Sequence, residues 1–164
     1  MSTGHQTKTM EFSANTKQRL DETLKLYPDQ RAALLPALYL AQKEFGYLSR
    51  EAMQYVAGLL NLTPAYVYGV SIFYTMFNKE PVGRWLIQVC ANLPCSLMGA
   101  ERVVEYLSQK LGIKAGETTP DQKFTLLRVE CLGACGAAPM MQINDTYYEN
   151  LTREKIDKIL SELK

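Results

Sequence analysis

Four cysteines constrain this chain more than any other feature. They stand at Cys90, Cys95, Cys131 and Cys135, with four residues inside the first pair, three inside the second and 35 between the pairs. Each pair follows a stretch that reads as a β-strand: Trp85-Leu86-Ile87-Gln88-Val89-Cys90, and Phe124-Thr125-Leu126-Leu127-Arg128-Val129. Two neighbouring strands of this kind would deliver two thiols each to one point. The N-terminus lacks the charged-then-apolar layout of a signal peptide, which predicts a cytoplasmic protein. Thiols stay reduced in that compartment, so a disulfide framework is disfavoured. A [2Fe–2S] cluster takes two thiolates per iron. A structural zinc site also takes four, but usually from pairs separated by two residues, because a tight knuckle wraps one small ion. Spacings of four and three suit the wider reach around two irons better; zinc and a disulfide are the alternatives.

The flanking residues point the same way. No charged residue lies from Gln88 to Ala100, or from Cys131 to Asn144. Gly133-Ala134 and Gly136-Ala137-Ala138-Pro139 let the backbone come close and turn its N–H groups toward sulfur. A helix following Cys95, capped by Ser96, would aim its positive end at that cysteine. Glu130 directly precedes Cys131, and Arg128 is the one cation in sequence reach. Adding an electron beside that carboxylate is unfavourable, so a bound cluster is expected to have a low reduction potential.

Other chemistries find little support. His5 is the single histidine and sits in a polar N-terminal stretch, which removes His-ligated clusters and His-based catalysis. Residues 1–80 carry eight Lys and Arg against seven Asp and Glu, and residues 81–164 carry ten against ten, so no basic face for nucleic acid is visible. No stretch reads as a membrane span. No Gly-rich phosphate loop follows a strand, so nothing here binds a dinucleotide or flavin.

Around the cysteines the periodicity defines an α+β chain. Residues 1–12 are read as a disordered N-terminus, 13–80 as a four-helix bundle, and 84–164 as a compact α/β layer. In the bundle, helices start after Ser13, at about Asp29, after Ser49 and after Thr63-Pro64. Pro36 is expected to kink the second or mark a restart. In the fourth, Tyr66, Val70, Phe73 and Phe77 form a stripe read as bundle core in preference to a docking surface. Tyr39, Tyr47, Tyr55, Tyr147 and Tyr148 are read as lying at the core edge rather than as partner contacts, and Trp85 as core. Beyond the bundle come the first strand, a helix from about Leu97 to Leu111, the second strand, a third at Met140–Ile143 turning at Asn144-Asp145, and a last helix capped by Thr152.

The runs Val89-Cys90-Ala91-Asn92-Leu93-Pro94-Cys95-Ser96-Leu97-Met98-Gly99-Ala100 and Val129-Glu130-Cys131-Leu132-Gly133-Ala134-Cys135-Gly136-Ala137-Ala138-Pro139 resemble the thioredoxin-like [2Fe–2S] ferredoxin subunit of respiratory complex I, the E subunit of bacterial NADH-quinone oxidoreductase. Phe45-Gly46-Tyr47-Leu48, Val67-Tyr68-Gly69-Val70 and Phe73-Tyr74-Thr75-Met76-Phe77 extend the likeness into the helical part, so that it covers about residues 13–164. The resemblance implies a thioredoxin-like fold for the C-terminal part; Pro139, before a strand, echoes the cis-proline position of such folds without fixing its isomer. It also implies one [2Fe–2S] cluster ligated by all four cysteines. The partner it implies is a flavoprotein subunit carrying FMN and NADH, within a complex that includes other peripheral-arm subunits and lies against the inner membrane. The subunit would carry electrons without a complete active site of its own. Equivalent subunits of NAD-linked hydrogenases and formate dehydrogenases share the module. A disulfide oxidoreductase would want a C-x2-C pair opening a helix, and a zinc-stabilised interaction module would have no redox role.

One visible spectrum separates these readings. A red-brown protein with charge-transfer bands is expected; a colourless protein holding stoichiometric zinc would overturn the iron–sulfur reading.

Overall fold

A computed structural model describes residues 10–163; His5 and most of the stretch read as a disordered N-terminus lie outside them. Among the described residues the chain forms seven α-helices and a four-stranded sheet, in two compact units that divide between Pro81 and Val82.

The first unit is helical: α1 (Ala14–Leu24), α2 (Leu34–Phe45), α3 (Arg50–Leu59) and α4 (Pro64–Phe73). Three are opened by side-chain caps. Ser13, Ser49 and Thr63 accept from the N–H groups of Thr16, Ala52 and Tyr66, at 3.2–3.3 Å, satisfying donors that the first helical turn leaves free. Leu20, Leu38, Ala41, Val56, Ala57, Leu60 and Val67 meet in one apolar core.

Several expectations about this unit need correction. The second helix begins at Leu34 rather than near Asp29, because the Asp29 carboxylate takes the Ala32 N–H at 2.8 Å and holds a turn there. Pro36 then falls in the first turn, where no intrahelical N–H is missed, and needs no kink. Phe12 belongs to the core and not to a frayed terminus: it is 3% exposed, stacks on Phe45 and meets Tyr55 edge-on. On α4 the buried positions are Val67 and Ser71. Tyr66 and Phe73 face outward, Phe73 with 77% of its surface exposed, so of the expected stripe only Phe77 is fully buried, with Val70 partly so.

The second unit is built on strands β1 (Trp85–Cys90), β2 (Phe124–Val129), β3 (Met141–Ile143) and β4 (Thr146–Tyr148), ordered β2-β1-β3-β4. Strands β1 and β2 run parallel, Trp85 opposite Phe124 through Cys90 opposite Val129. A parallel pair requires a crossover; here it consists of α5 (Leu93–Leu97) and α6 (Ala100–Leu111). Strand β3 runs antiparallel to β1, and β4 closes a hairpin with β3. The final helix α7 (Arg153–Glu162) is capped by Thr152, whose hydroxyl accepts from the Lys155 N–H. Ile87, Val89 and Leu126 of the sheet pack with Val103 and Leu107 of α6 and Ile156 and Ile159 of α7. The helix expected from Leu97 to Leu111 starts at Ala100, after Gly99 at φ +93°, a conformation costly for other residues, and is preceded by the short, unexpected α5. Trp85 is only partly buried.

The hairpin is pinned to β1 by one side chain. Asn144 sits at φ +51°, accepts the Leu86 N–H at 2.9 Å and donates to the Arg84 carbonyl at 3.1 Å. Replacing it by Ala adds left-handed strain to the loss of both bonds, about 3 kcal/mol together, whereas Gly escapes the strain and should cost about 2 kcal/mol. Urea unfolding of the two variants checks the order; equal losses would mean that backbone strain plays no part.

Candidate metal centre

The parallel register decides where the thiols meet. Cys90 is the last residue of β1 and pairs with Val129, the last of β2, so both cysteine-bearing loops leave the same edge of the sheet. Cys95 lies inside α5, and Cys135 opens a single 3-10 turn, Cys135–Ala137. Cys90 and Cys95 are buried on a small apolar floor of Ala100, Ala138 and Met140, with Leu132 and Ala134 packed beside it. Cys131 and Cys135 are exposed, and all four are free thiols. The Ala138–Pro139 bond is cis.

The thiols act on one another chiefly in two pairs, Cys90 with Cys95 and Cys131 with Cys135. Burial pushes the Cys90 thiol up, yet the backbone N–H groups of Asn92 and Leu132 and the thiol of Cys95 outweigh it and hold it below the ordinary range. Cys95 is pushed up to about 11, by burial first and then by its contact with Cys90. Cys135 is also raised, by burial and by Cys131. The pairs feel each other across the gap: charge on Cys135 raises Cys95, and charge on Cys90 raises Cys135. Backbone N–H groups converge on the sulfurs. Asn92 and Leu132 point at Cys90, Met140 at Cys95, and Gly133 at Cys131 over 3.3 Å. Gly133 reaches that position at φ +84°.

This donor set fits an iron–sulfur group. It offers four soft ligands, two per side, with N–H groups to offset sulfur charge. The cap expected at Ser96 is absent. Pro94 is suited to a first helical turn, so α5 starts at Leu93, opened by Asn92, and encloses Cys95 instead of pointing at it. Two further contributors are hidden in the sequence. Asn92 joins the two loops (Nδ2 to Glu130 Oε2, 3.1 Å), and the Tyr147 hydroxyl donates to the Leu132 carbonyl at 2.7 Å. No spacing rule marks either, because the partners lie 38 and 15 residues away.

The fold and the site define a thioredoxin-like α/β domain with a four-thiol centre. The chain belongs to the thioredoxin-like [2Fe–2S] ferredoxin family, whose sequence model matches residues 20–164. It is 44% identical over 144 residues to the second E-type chain of NADH-quinone oxidoreductase from Rhizobium meliloti (strain 1021), covering 88% of this chain and 86% of that protein. With the NADH-quinone oxidoreductase E subunit of Rickettsia bellii (strain RML369-C), identity is 46% over 163 residues, covering 96% and 98%. The resemblance read from the cysteine loops is thus borne out at the level of family. A chain of a NAD+-reducing [NiFe]-hydrogenase shares the fold, with a TM-score of 0.70 over 80% of this chain at 23% identity. This chain matches 22% of that chain's length.

The unequal burial of the pairs has a chemical readout. In the metal-free chain at neutral pH, exposed Cys131 should alkylate first and Cys95 last, accelerating only toward pH 11; Cys90, buried but held low, and Cys135, exposed but raised, should fall between them. Mass mapping over time measures this; four equal rates would contradict the arrangement.

Proposed function

We propose that this chain is the electron-transfer subunit of a NADH-quinone oxidoreductase, with one [2Fe–2S] cluster ligated by Cys90, Cys95, Cys131 and Cys135. The observation that carries this reading is that parallel strands β1 and β2 end side by side, so that both loops bearing the four free thiols leave the same end of the sheet. Relatives named as E subunits of that oxidoreductase match it over nearly their whole length. Such a cluster, when bound, takes up and releases single electrons.

The chain's own groups prepare the site. Cys90 and Cys95 hold the inner side, against Ala100, Ala138 and Met140, which exclude water. Cys131 and Cys135 close the outer side. The N–H groups of Asn92, Leu132, Gly133 and Met140 stabilise negative charge on the sulfurs. Leu93, Leu97 and Met98 are exposed on and just after α5, forming an apolar patch on the α5 side of the site. Electrons would be exchanged there with the FMN of a partner flavoprotein that binds NADH, within a complex containing other peripheral-arm subunits. The four N-terminal helices form the bundle of this subunit. Among the described residues no single helix is long and apolar enough to cross a membrane; α3 and α4 reach that measure only jointly, bent by 118°. We further propose that the subunit lies on the cytoplasmic side, peripheral to the inner membrane, as part of that complex. The hydrogenase likeness lies at the level of fold, and relatives at 44–46% identity favour the quinone-linked assembly over a hydrogenase or formate dehydrogenase.

Two measurements test this. The reconstituted full chain should hold two irons and two sulfides, and Cys131→Ala should lose them together with the stability that ligation adds; a Cys131→Ala chain with a normal cluster would refute the ligand assignment. The complex isolated through a tag on this chain should contain FMN and oxidise NADH with a quinone. Hydrogen- or formate-linked NAD+ reduction without quinone activity would instead identify one of the other assemblies.

A further inference from the structure

Asn92 stands between the two cysteines of the first loop, and each end of its side chain is engaged. Its Oδ1 accepts the Leu93 N–H at 2.8 Å, at the start of the helix that contains Cys95. Its Nδ2 donates to Glu130 Oε2 at 3.1 Å, and Glu130 immediately precedes Cys131. The two loops are 38 residues apart here, and this is a side-chain to side-chain bond between them. Its geometry requires an amide: a carboxylate at position 92 could accept from Leu93 but not donate to Glu130.

The bond also fixes a charge. Glu130 is the one acidic or basic residue within either cysteine-bearing segment, since Gln88–Ala100 and Cys131–Asn144 contain none. The nearest cation, Arg128, is already committed to Glu101, with Nε and Nη2 donating to one carboxylate oxygen at 3.1 and 2.8 Å. Arg128 also feels Glu130, but its two hydrogen bonds go to Glu101, so the Glu130 charge at the rim is only partly offset.

We propose that Asn92 is a positioning residue that closes the two cysteine loops on each other and holds the Glu130 carboxylate at the rim of the thiol site, biasing that site against accepting an electron. The inference rests on the ligand assignment proposed above. Uptake of one electron, supplied by the partner's flavin, takes the four-thiolate site from two negative charges to three with no proton gained, so a fixed carboxylate nearby opposes it. Asn92 acts on the equilibrium only through Glu130.

Three variants of the full chain, reconstituted with iron and sulfide, test this by EPR-monitored redox titration. Glu130→Gln keeps an oxygen for Asn92 and removes the charge. It should favour the reduced form about tenfold, an upward shift of about 59 mV for one electron. That shift should shrink as salt is raised, because Glu130 is exposed. Asn92→Ser retains a capping oxygen but releases Glu130, and should shift the potential the same way by less. In the Asn92→Ser, Glu130→Gln double variant the shift should equal that of Glu130→Gln alone. A Glu130→Gln change under twofold overturns the charge assignment. An Asn92→Ser shift that persists in full in the Glu130→Gln background overturns the positioning role. If the unsubstituted chain binds no cluster, the ligand assignment itself fails and this inference falls with it.

Discussion

The parallel pairing of β1 with β2 is the interaction on which the rest of this structure depends. Thiols that lie 35 residues apart in the chain become neighbours because Cys90 and Val129 end their strands side by side. The crossover this pairing demands is supplied by α5 and α6, and their placement over the sheet builds the core of the second unit. A slip of one residue would turn Cys90 to the opposite face of the sheet. The run Leu86, Ile87, Val89 and Cys90, buried on both faces of β1, resists such a slip.

Around that pairing the site is supported by polar contacts of modest individual strength. Asn92 reaches across to Glu130, Tyr147 holds the Leu132 carbonyl, and the Cys90 N–H donates to the Met140 carbonyl at 3.2 Å. Each is an ordinary hydrogen bond, on the order of 1 kcal/mol net. Together they hold the second cysteine loop, which contributes no fully buried side chain between Cys131 and Ala137.

Much of this is legible in the residues. Strands β1 and β2 begin and end where the apolar runs do, and Ser13, Ser49, Thr63 and Thr152 cap the helices that their positions predict. The donor set is legible because cysteine spacing is a local signal. The failures share a cause in longer-range contacts. Helix α4 is apolar on most sides, so its sequence carries no phase to say which face turns inward. Val67 and Ser71 are chosen by packing, and the Ser71 hydroxyl is satisfied inside by the Tyr68 carbonyl at 2.8 Å. Phe12 is an isolated aromatic in a polar run, and only Phe45 and Tyr55 make it core. The break at Gly99 turns on a single backbone dihedral, and the roles of Asn92 and Tyr147 on partners far along the chain.

Helix α5 has five residues, too few to hold its shape alone. Its order is imposed by the burial of Cys95 and by the grip of Asn92. The inner half of the thiol site is therefore preorganised, and binding there spends little conformational entropy. The outer half is exposed and glycine-containing, and must lose freedom when a ligand closes it. A metal group held by these four thiols would therefore have its open side at Cys131 and Cys135, with Cys90 and Cys95 as the fixed wall behind it.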